Sequence, residues 1–283
     1  MANRFSIEPI DASFGATIRD IDLARLDAAT FGELQEVWLE YALLVFPDQH
    51  LSNLDQVAFA RRFGGLELEL APISNVKRDG SLRDDDDVMK ILRGNMEWHS
   101  DSTYMPTQAK GAVFTAHVVP SVDGETGWAD MRAAYDALEP ALRDRISELS
   151  AYHSLYYSQS KLGHAPSEES DYIGYGFHDE DPPLRPLIKI HPETRRPALL
   201  IGRHAYGVPG MAEDESERLL RDLIDFACQR PRTYHHAWKC GDAVLWDNRC
   251  LLHRARPWPM QEARVMYHSR IAGDPTSEGA SAS

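Results

Sequence analysis

Three histidines each stand two residues before a carboxylate, a spacing at which one extended segment can offer two ligands to one metal ion. These pairs are His99-Ser-Asp101, His178-Asp-Glu180 and His191-Pro-Glu193. The pair at residue 191 lies in a predicted hairpin turn, where we expect the side chains to face water. The pair at residue 178 lies in an acidic loop flanked by proline. The pair at residue 99 is the best organised, because an extended backbone would place both side chains on one face.

A catalytic metal centre needs at least one more ligand. Two histidines and one carboxylate on one face of an octahedral metal, with three open positions, are typical of non-haem iron(II) oxygenases. His253 is the leading candidate for the second histidine, because it follows the predicted strand-turn-strand of residues 242–248. Four other histidines satisfy the spacing alone and stay as alternatives: His204, His235, His236 and His268.

Four stretches have helical apolar spacing. Asp27 is predicted to cap the first helix, and Ser52 is predicted to cap a second helix that stops at Gly64-Gly65. The other two are predicted over residues 131–149, with a break at Pro140, and over residues 214–229, before Pro231. These helices are the elements that would flank a core of strands.

Short apolar or β-branched runs predict strands over residues 112–119, 187–191, 198–201, 243–246, 251–253 and 265–271. We expect one strand pair around the turn Pro-Glu-Thr-Arg after residue 191, and another around Asp247-Asn248. Helices that precede antiparallel strands favour an α+β domain built on a sandwich or barrel. Residues 66–94 and 155–183 are assigned to lids or binding loops, with disordered surface loops as the alternative, and residues 275–283 to a disordered tail.

Composition narrows the class of protein. Forty-four acidic and 30 basic residues give a formal charge of −14, and no basic stripe interrupts it, so we expect no nucleic-acid partner. No apolar run approaches the roughly 18–20 residues that span a bilayer, which predicts a cytoplasmic protein without a membrane partner. Cys228, Cys240 and Cys250 match neither a disulfide framework nor a zinc motif. Apolar residues on exposed helices lead us to expect a homo-oligomer.

The sequence also resembles the taurine/2,4-dichlorophenoxyacetate dioxygenase family of iron(II)- and 2-oxoglutarate-dependent oxygenases. The resemblance rests on His99-Ser-Asp101, on His253, and on Arg264 eleven residues further on. Other blocks stand in the family order across residues 5–274, including FGATIRDIDL, ALLVFPDQHLS, GNMEWHSDSTYMP, WDNRCLLHRA and RVMYHSRIAGD. HSLYYSQSKLGH and HPETRRPALLIGRHA are similar to the aryloxyalkanoate branch, especially to enzymes acting on (S)-2-(dichlorophenoxy)propionate.

This resemblance implies a double-stranded β-helix, or jelly roll, with flanking helices in one catalytic domain over residues 1–274. It implies that His99, Asp101 and His253 bind Fe(II), and that Thr126 and Arg264 bind 2-oxoglutarate. In the taurine enzyme an arginine four residues beyond the oxoglutarate-binding one holds the acid group of the substrate, and here that position is His268. The residues expected to line the substrate site are Asn95, Ser102, Tyr104, His268 and Arg270, the last as a substitute anchor.

The reaction implied by the resemblance is hydroxylation of the ether-bearing carbon of an (S)-aryloxypropionate or aryloxyacetate. Its products would be a phenol, a 2-oxo acid, succinate and carbon dioxide, with dioxygen as the second co-substrate. One alternative applies the same chemistry to an alkyl sulfonate or sulfate, or to an aliphatic or amino acid. Another is a jelly-roll protein that binds metal or ligand without turnover. A second carboxylate clamp at Thr126 and Arg264 argues against the last alternative.

Overall fold

The structure is a computed structural model that describes residues 4–163, 176 and 181–280. Its helices are α1 (Ala28–Tyr41), α2 (Asn53–Arg61), α3 (Asp87–Gly94), α4 (Met131–Asp136), α5 (Pro140–Ile146), α6 (Leu155–Ser160), α7 (Glu213–Ala227) and α8 (Pro275–Glu278). Its strands are β1 (Ser6–Pro9), β2 (Ala16–Arg19), β3 (Leu43–Phe46), β4 (Leu66–Ser74), β5 (Gly111–Val118), β6 (Thr126–Asp130), β7 (Ser150–His153), β8 (Leu184–Pro186), β9 (Ile188–Ile190), β10 (Pro197–Leu199), β11 (Ala205–Tyr206), β12 (Thr233–His236), β13 (Ala243–Asp247), β14 (Leu251–Ala255) and β15 (Val265–Ile271).

A mixed sheet of seven strands forms the centre of the fold, in the order β1-β2-β3-β13-β5-β15-β4. Its neighbours pair antiparallel except β2 and β3, which run parallel. A second sheet has the order β12-β6-β14, and two small sheets, β11-β7-β8 and β10-β9, complete the strands. No described helix is long and apolar enough to cross a membrane.

Alternation along the central strands divides the interior into two apolar cores. On β5, Val113 packs with Trp38 and Phe59 of helices α1 and α2, on the outer face of the sheet. The next residue, Phe114, points to the opposite face, as period-two geometry requires. There it packs 6.3 Å, between ring centres, from Trp246 of β13. The inner face is therefore lined by aromatic side chains.

The second sheet covers that inner face. Trp128 of β6 lies 5.9 Å from Trp246 between ring centres, and Phe114 lies 5.5 Å from Trp238. His253 stands opposite Trp128 in the β14–β6 register. Because directly opposed residues of an antiparallel pair share a face, His253 also points into the space between the two sheets. The sheet pair thus encloses the candidate site.

Several expectations about the elements are confirmed. The side chain of Asp27 accepts from the N–H of Thr30 and that of Ser52 from the N–H of Asp55, so both predicted caps are present. The predicted break at Pro140 separates α4 from α5. Strands β9 and β10 form the predicted antiparallel pair.

Other expectations were wrong. Strands β13 and β14 do not pair around Asp247-Asn248, since β13 belongs to the central sheet and β14 to the second sheet. The buried residues between them carry the chain from one sheet to the other. Residues 66–94 contain β4 and α3, and residues 155–160 form α6, instead of loops. The alternation of acidic and apolar residues in LELEL is typical of a strand, and this signal was overlooked. The remainder of the proposed lid lies largely outside the described residues.

The predicted disordered tail is corrected for residues 275–280. Helix α8 is capped by Asp274, and Glu278 is 1% exposed. The Glu278 carbonyl accepts from the N–H of Gln108, and the N–H of Ala280 donates to the carbonyl of Pro106. Small polar residues therefore fold here because a distant loop supplies their hydrogen-bond partners.

Candidate active site

His99 lies beside His253, although 154 residues separate them in sequence (253 − 99). The N–H of His99 donates to the carbonyl of His253 over 3.0 Å, and the N–H of His253 donates back over 2.7 Å. This two-bond bridge brings the centres of the two imidazole rings to 4.2 Å. The backbone, rather than side-chain packing alone, sets the distance between the two rings.

Asp101 completes a cluster of three buried side chains. One ligand atom from each of His99, Asp101 and His253 lies within 4.8 Å of the other two. His99 Nδ1 lies 2.8 Å from the carbonyl of Glu97, which fixes the ring and leaves Nε2 as its ligand atom. Two imidazoles and one carboxylate grouped in this way suit iron(II) with open positions for substrates.

The protonation states in the cluster are those that bind a metal ion. Burial, assisted by repulsion from the second ring, lowers the pKa of His99 to about 3, and burial lowers the pKa of His253 to about 4. Burial acts in the opposite direction on Asp101. The Arg270 guanidinium and three nearby imidazoles outweigh it and hold the pKa of this carboxyl well below its usual range.

The donor atoms fit a divalent cation. Among the described residues, Asp101 Oδ2 is buried without a hydrogen-bond partner. Asp101 Oδ2 lies 3.7 Å from His253 Nε2, so the carboxylate faces the second imidazole. A buried carboxylate oxygen without a partner is costly, and a bound cation offsets that cost.

Three of the alternative histidines have other partners. His204 Nδ1 lies 2.8 Å from a buried serine hydroxyl, and His236 Nε2 lies 3.0 Å from an aspartate carboxylate. The ring of His235 packs edge-on against a tryptophan. His253, not these residues, therefore joins the pair at residue 99, as the sequence favoured.

His268 borders the cluster without belonging to it. Its ring stacks on Trp246 at 5.5 Å with an interplanar angle of 2°. Its Nε2 lies 3.5 Å from Asp101 Oδ2, and burial lowers the pKa of this imidazole to about 4. The structure thus places a neutral imidazole where the taurine enzyme is expected to have an arginine.

The other two histidine-carboxylate pairs differ from expectation or lie outside the described residues. The pair at residue 178 is among the residues not described. His191 is buried, which corrects the expectation that it faces water. Its Nδ1 accepts from the N–H of Thr194 over 3.0 Å, so its Nε2 carries the proton and donates to Asp247 over 2.9 Å.

His191, Asp247 and Cys250 form a second group of ligand-type atoms within 4.8 Å of one another. The Asp247 carboxylate, however, already accepts from Arg249 Nε at 2.9 Å and from Arg249 Nη2 at 2.6 Å. Burial raises the pKa of the Cys250 thiol, which keeps it protonated. The Arg249 guanidinium thus pairs with the carboxylate that a metal ion would need. These residues form a buried hydrogen-bond network rather than a metal site.

Arg264 is a buried cation whose guanidinium lies over Phe114 of the inner face. It is 2% exposed, and its Nε and Nη2 have no hydrogen-bond partner within the part of the chain that is described. The guanidinium lies 5.1 Å from the ring centre of Trp258 and 6.0 Å from that of Phe114. Burial lowers its pKa to about 10, which still leaves it charged at neutral pH. A planar, unpaired guanidinium fits a carboxylate ligand.

Thr126 is linked to Arg264 through two aromatic side chains, Trp238 and Phe114. Trp238 Nε1 donates to Thr126 Oγ1 over 3.0 Å, and the Trp238 ring packs against Phe114, over which Arg264 lies. Gly124, two residues earlier, has positive φ, and an added Cβ there would lie 3.5 Å from Arg264 Nε. The start of β6 therefore forms one wall of the arginine pocket.

Arg270 contacts the Asp101 oxygen that does not face His253, and Ser102 lies next to Arg270. Arg270 Nη2 donates to Asp101 Oδ1 over 3.1 Å, and Arg270 Nη1 donates to the Ser102 hydroxyl over 3.3 Å. The Ser102 hydroxyl donates to Glu67 over 2.8 Å. Glu67 is a site residue that the sequence analysis missed, and the alternation of LELEL that marks β4 was the signal available to find it.

Tyr104 and Asn95 occupy two further borders of the site. Tyr104 is buried, with its ring centre 4.8 Å from that of His204. His204 in turn lies 6.0 Å from His99 between ring centres. Asn95 is half-buried at the end of α3, and its carbonyl accepts from the N–H of Ala255, two residues beyond His253. Tyr104 is therefore linked to His99 through His204, and Asn95 is linked through its carbonyl to the end of the strand that carries His253.

Comparison with known proteins agrees with this geometry. Residues 6–270 match the family described as Taurine catabolism dioxygenase TauD, TfdA family. The chain is 66% identical to the (S)-phenoxypropionate/alpha-ketoglutarate-dioxygenase of Sphingobium herbicidovorans and 56% identical to that of Delftia acidovorans, each over 99% of both chains. The crystal structure of AAD-2 in complex with Mn(II) and N-oxalylglycine is 35% identical, with a TM-score of 0.90 over 100% of both chains.

The fold and the site define a metal- and 2-oxoglutarate-dependent oxygenase. The chain belongs to the TauD/TfdA dioxygenase family. It is an oxidoreductase that requires Fe(II), 2-oxoglutarate and dioxygen. The alternative of a protein that binds metal without turnover is not supported.

Proposed function

We propose that this dioxygenase hydroxylates the ether-bearing carbon of (S)-aryloxypropionates, and also accepts aryloxyacetates. The observation that carries the proposal is identity of 66% and 56%, over 99% of each chain, to two proteins named as (S)-phenoxypropionate dioxygenases. A 37% identical relative from Cupriavidus pinatubonensis is named as a 2,4-dichlorophenoxyacetate dioxygenase. Aryloxy acids used as herbicides belong to this substrate class.

His99, Asp101 and His253 would hold the iron. Their neutral imidazoles and ionised carboxylate need no proton release before the metal binds. Bound iron(II) supplies the activation of dioxygen that couples decarboxylation of 2-oxoglutarate to hydroxylation of a substrate carbon. The Glu97 carbonyl, through His99 Nδ1, keeps one imidazole aimed at that position.

Arg264 and Thr126 would hold the distal carboxylate of 2-oxoglutarate. Nε and Nη2 of Arg264, which have no hydrogen-bond partner among the described residues, offer two parallel donors to one carboxylate. The Thr126 hydroxyl accepts from Trp238 and keeps its own proton to donate. The aromatic walls exclude water, which strengthens the charge pairing.

Arg270 is the proposed anchor for the substrate carboxylate, with His268, Ser102, Tyr104 and Asn95 lining the same space. Arg270 Nη2 lies 3.1 Å from Asp101 Oδ1, so an acid group held by this guanidinium would lie beside the metal. Anchoring at one end would orient the ether-bearing carbon toward the open metal positions. Hydroxylation there gives a hemiketal or hemiacetal, which breaks its C–O bond to release a phenol and a 2-oxo acid.

The remaining parts of the proposal concern the whole chain. We infer that the two facing sheets make up a double-stranded β-helix, that residues 1–274 together with helix α8 form one catalytic domain, and that the enzyme is a cytoplasmic homo-oligomer. Packing of Trp128 and Phe114 across the sheets supports a single shared core.

The test is a succinate-coupled screen of the iron-loaded enzyme. We expect succinate and phenol in equal amounts from (S)-2-phenoxypropionate, and at least tenfold less from the (R)-enantiomer. With the carboxylate anchored, the (R)-enantiomer would place its methyl group wrongly, and one misfitted carbon in an apolar pocket costs roughly 1–3 kcal/mol. Because Arg270 also donates to Asp101, the comparison is made at saturating iron(II). Replacement of Arg270 by Met should then raise KM for the aryloxy acid and leave KM for 2-oxoglutarate nearly unchanged. Faster turnover of an alkyl sulfonate, an alkyl sulfate or an amino acid than of either aryloxy acid would overturn the substrate assignment.

A further inference from the structure

Asn248, in the segment that joins β13 to β14, contacts the metal-ligand turn through its whole carboxamide. The Oδ1 atom accepts from the N–H of Asp101 over 2.8 Å. The Nδ2 group donates to the carbonyl of Asp101 over 2.8 Å and to that of Ala109 over 3.0 Å. The residue is 1% exposed. One side chain thus takes the place of a strand partner for Asp101.

These contacts require a carboxamide at residue 248. Its acceptor faces an N–H and its donors face two carbonyls, so the orientation of the amide is set by its partners. A carboxylate would face the same two carbonyls without a proton to donate. An apolar side chain would leave one N–H and two carbonyls buried and unpaired, which is costly.

Asn248 and His253 bring the metal ligands together within one short segment. Asp101 is held by the side chain of Asn248, and His99 is held by the backbone of His253. The carbonyl of Asn248 also accepts from the Ser100 hydroxyl over 2.8 Å. Residues 248–253 therefore carry one ligand and fix the backbones of the other two.

Asn75 makes the equivalent contacts at the co-substrate site. Its Oδ1 accepts from the N–H of Arg264 over 2.8 Å. Its Nδ2 donates to the carbonyls of Met260 and Glu262 over 3.2 and 2.9 Å, and the residue is 1% exposed. The two asparagines have the same burial and the same bonding pattern, but their targets are different functional residues.

We propose that Asn248 and Asn75 are positioning residues with separate tasks. Asn248 sets the backbone of Asp101, and so the direction of its carboxylate at the metal. Asn75 sets the backbone of Arg264, and so the place of its guanidinium in the co-substrate pocket. The inference rests on the proposed roles of Asp101 and Arg264. On this proposal two asparagines, which bind neither the metal nor the co-substrate, hold those two residues in the geometry that binding requires.

Each asparagine is the matched control for the other. Asn248→Asp and Asn75→Asp remove the same donors from equally buried sites, so we expect similar losses in Tm. Oxygen-free calorimetry would measure the Kd for Mn(II), and then the Kd for 2-oxoglutarate on protein saturated with Mn(II). Asn248→Asp should raise the Mn(II) Kd by about 10–100-fold, the range typical of groups that orient metal ligands. Asn75→Asp should raise the 2-oxoglutarate Kd by a similar factor.

The decisive measurements are the 2-oxoglutarate Kd of Asn248→Asp and the Mn(II) Kd of Asn75→Asp. We expect each variant to change the other ligand's Kd by less than about threefold, as for independent sites. Equal changes in both Kd values for both variants, or no change in either, would overturn the inference. If Asn248→Asp does not fold, Ser100→Ala, which removes one bond of the same junction, should raise only the Mn(II) Kd.

Failure of the underlying function has a different signature. Wild-type protein that bound neither Mn(II) nor 2-oxoglutarate would contradict the proposed roles of Asp101 and Arg264 themselves. Wild-type protein that bound both, together with variants lacking the expected split, would contradict only the positioning roles.

Discussion

Arg264 shows how a single residue can be unfavourable for folding and necessary for binding. Its guanidinium is buried without a carboxylate partner among the described residues, and burial lowers its pKa from 12.5 to about 10. A shift of that size corresponds to roughly 3 kcal/mol against the charged form. The depressed pKa lies above neutral pH, so the cost is fully present there. A bound carboxylate would offset it.

Replacement of Arg264 by Met should therefore stabilise the ligand-free protein. We expect Tm to rise by at least about 2 °C, since 1 kcal/mol shifts the Tm of a protein this large by roughly 2–4 °C. The rise in Tm that 2-oxoglutarate produces in wild-type protein should be lost. Differential scanning calorimetry with and without 2-oxoglutarate measures both effects.

Arg132→Met is the control, because Arg132 is equally buried but paired with Asp130 at 3.0 Å. Removing one member of a buried ion pair typically costs about 3–5 kcal/mol. Tm should fall, while the stabilisation by 2-oxoglutarate should persist. A lower Tm for Arg264→Met in the ligand-free state would show that the guanidinium has a structural partner.

Short spacing in the sequence identified the metal ligands, but not the residues that position them. His99 and Asp101 are two residues apart, so an extended backbone alone puts them on one face. Asn248 and Asn75 reach backbone groups 147 and 189 residues away, and no spacing rule marks such contacts. His191 was misjudged for a related reason, since its burial depends on the distant Asp247.

At the scale of elements, helix α8 braces the loop that follows the ligand turn. Arg185 donates to the carbonyls of Thr103 and Met105 in that loop and to the carbonyl of Glu278 in α8. The connection between β15 and α8 passes so close to the loop that a Cβ at Gly273 would collide with the carbonyl of Gln108. The C-terminal segment and the metal-ligand turn therefore form one packed unit.

Gly273→Ala should push the C-terminal segment away from the loop that follows the metal-ligand turn. The added methyl meets a backbone oxygen that cannot rotate away, and overpacking of this kind costs about 1–3 kcal/mol. We expect a lower free energy of unfolding by urea titration and weaker Mn(II) binding by calorimetry. Gly65→Ala is the control, since an added Cβ there meets nothing within 4 Å. Equal effects of the two substitutions would contradict the bracing role.

Whether an element was predicted correctly depends on how far away in sequence its stabilising contacts lie. Caps at Asp27 and Ser52 and the break at Pro140 depend on neighbours within three or four residues, and they were predicted correctly. Helix α8 has four residues and depends on a loop about 170 residues earlier, so local composition indicated disorder. The crossing of β13 and β14 into different sheets likewise depends on partners that adjacent residues do not reveal.

For the molecule as a whole, two effects of acid oppose each other. Lowering the pH toward the isoelectric point of about 5.3 reduces the formal charge of −14 and with it the self-repulsion of the folded chain. The same change acts against five buried imidazoles that the fold keeps neutral, namely those of His99, His153, His204, His253 and His268. Burial lowers the pKa to about 3 for His153 and His99, and to about 4 for His253 and His268.

The buried imidazoles should win, so the metal-free protein should lose stability as the pH falls from 6.5 toward 4. In that window the histidines of the unfolded chain become protonated while those of the folded chain stay neutral. The free energy of unfolding then falls by up to roughly 1.4 kcal/mol per pH unit for each histidine. Surface repulsion is screened at physiological salt and changes less. His153 contacts no proposed ligand atom. His153→Gln should therefore reduce the slope of unfolding free energy against pH by the contribution of one histidine, up to about 1.4 kcal/mol per pH unit. Urea titrations from pH 7 to 4.5 measure this slope, and a slope that His153→Gln left unchanged would show that this imidazole becomes protonated within the folded protein.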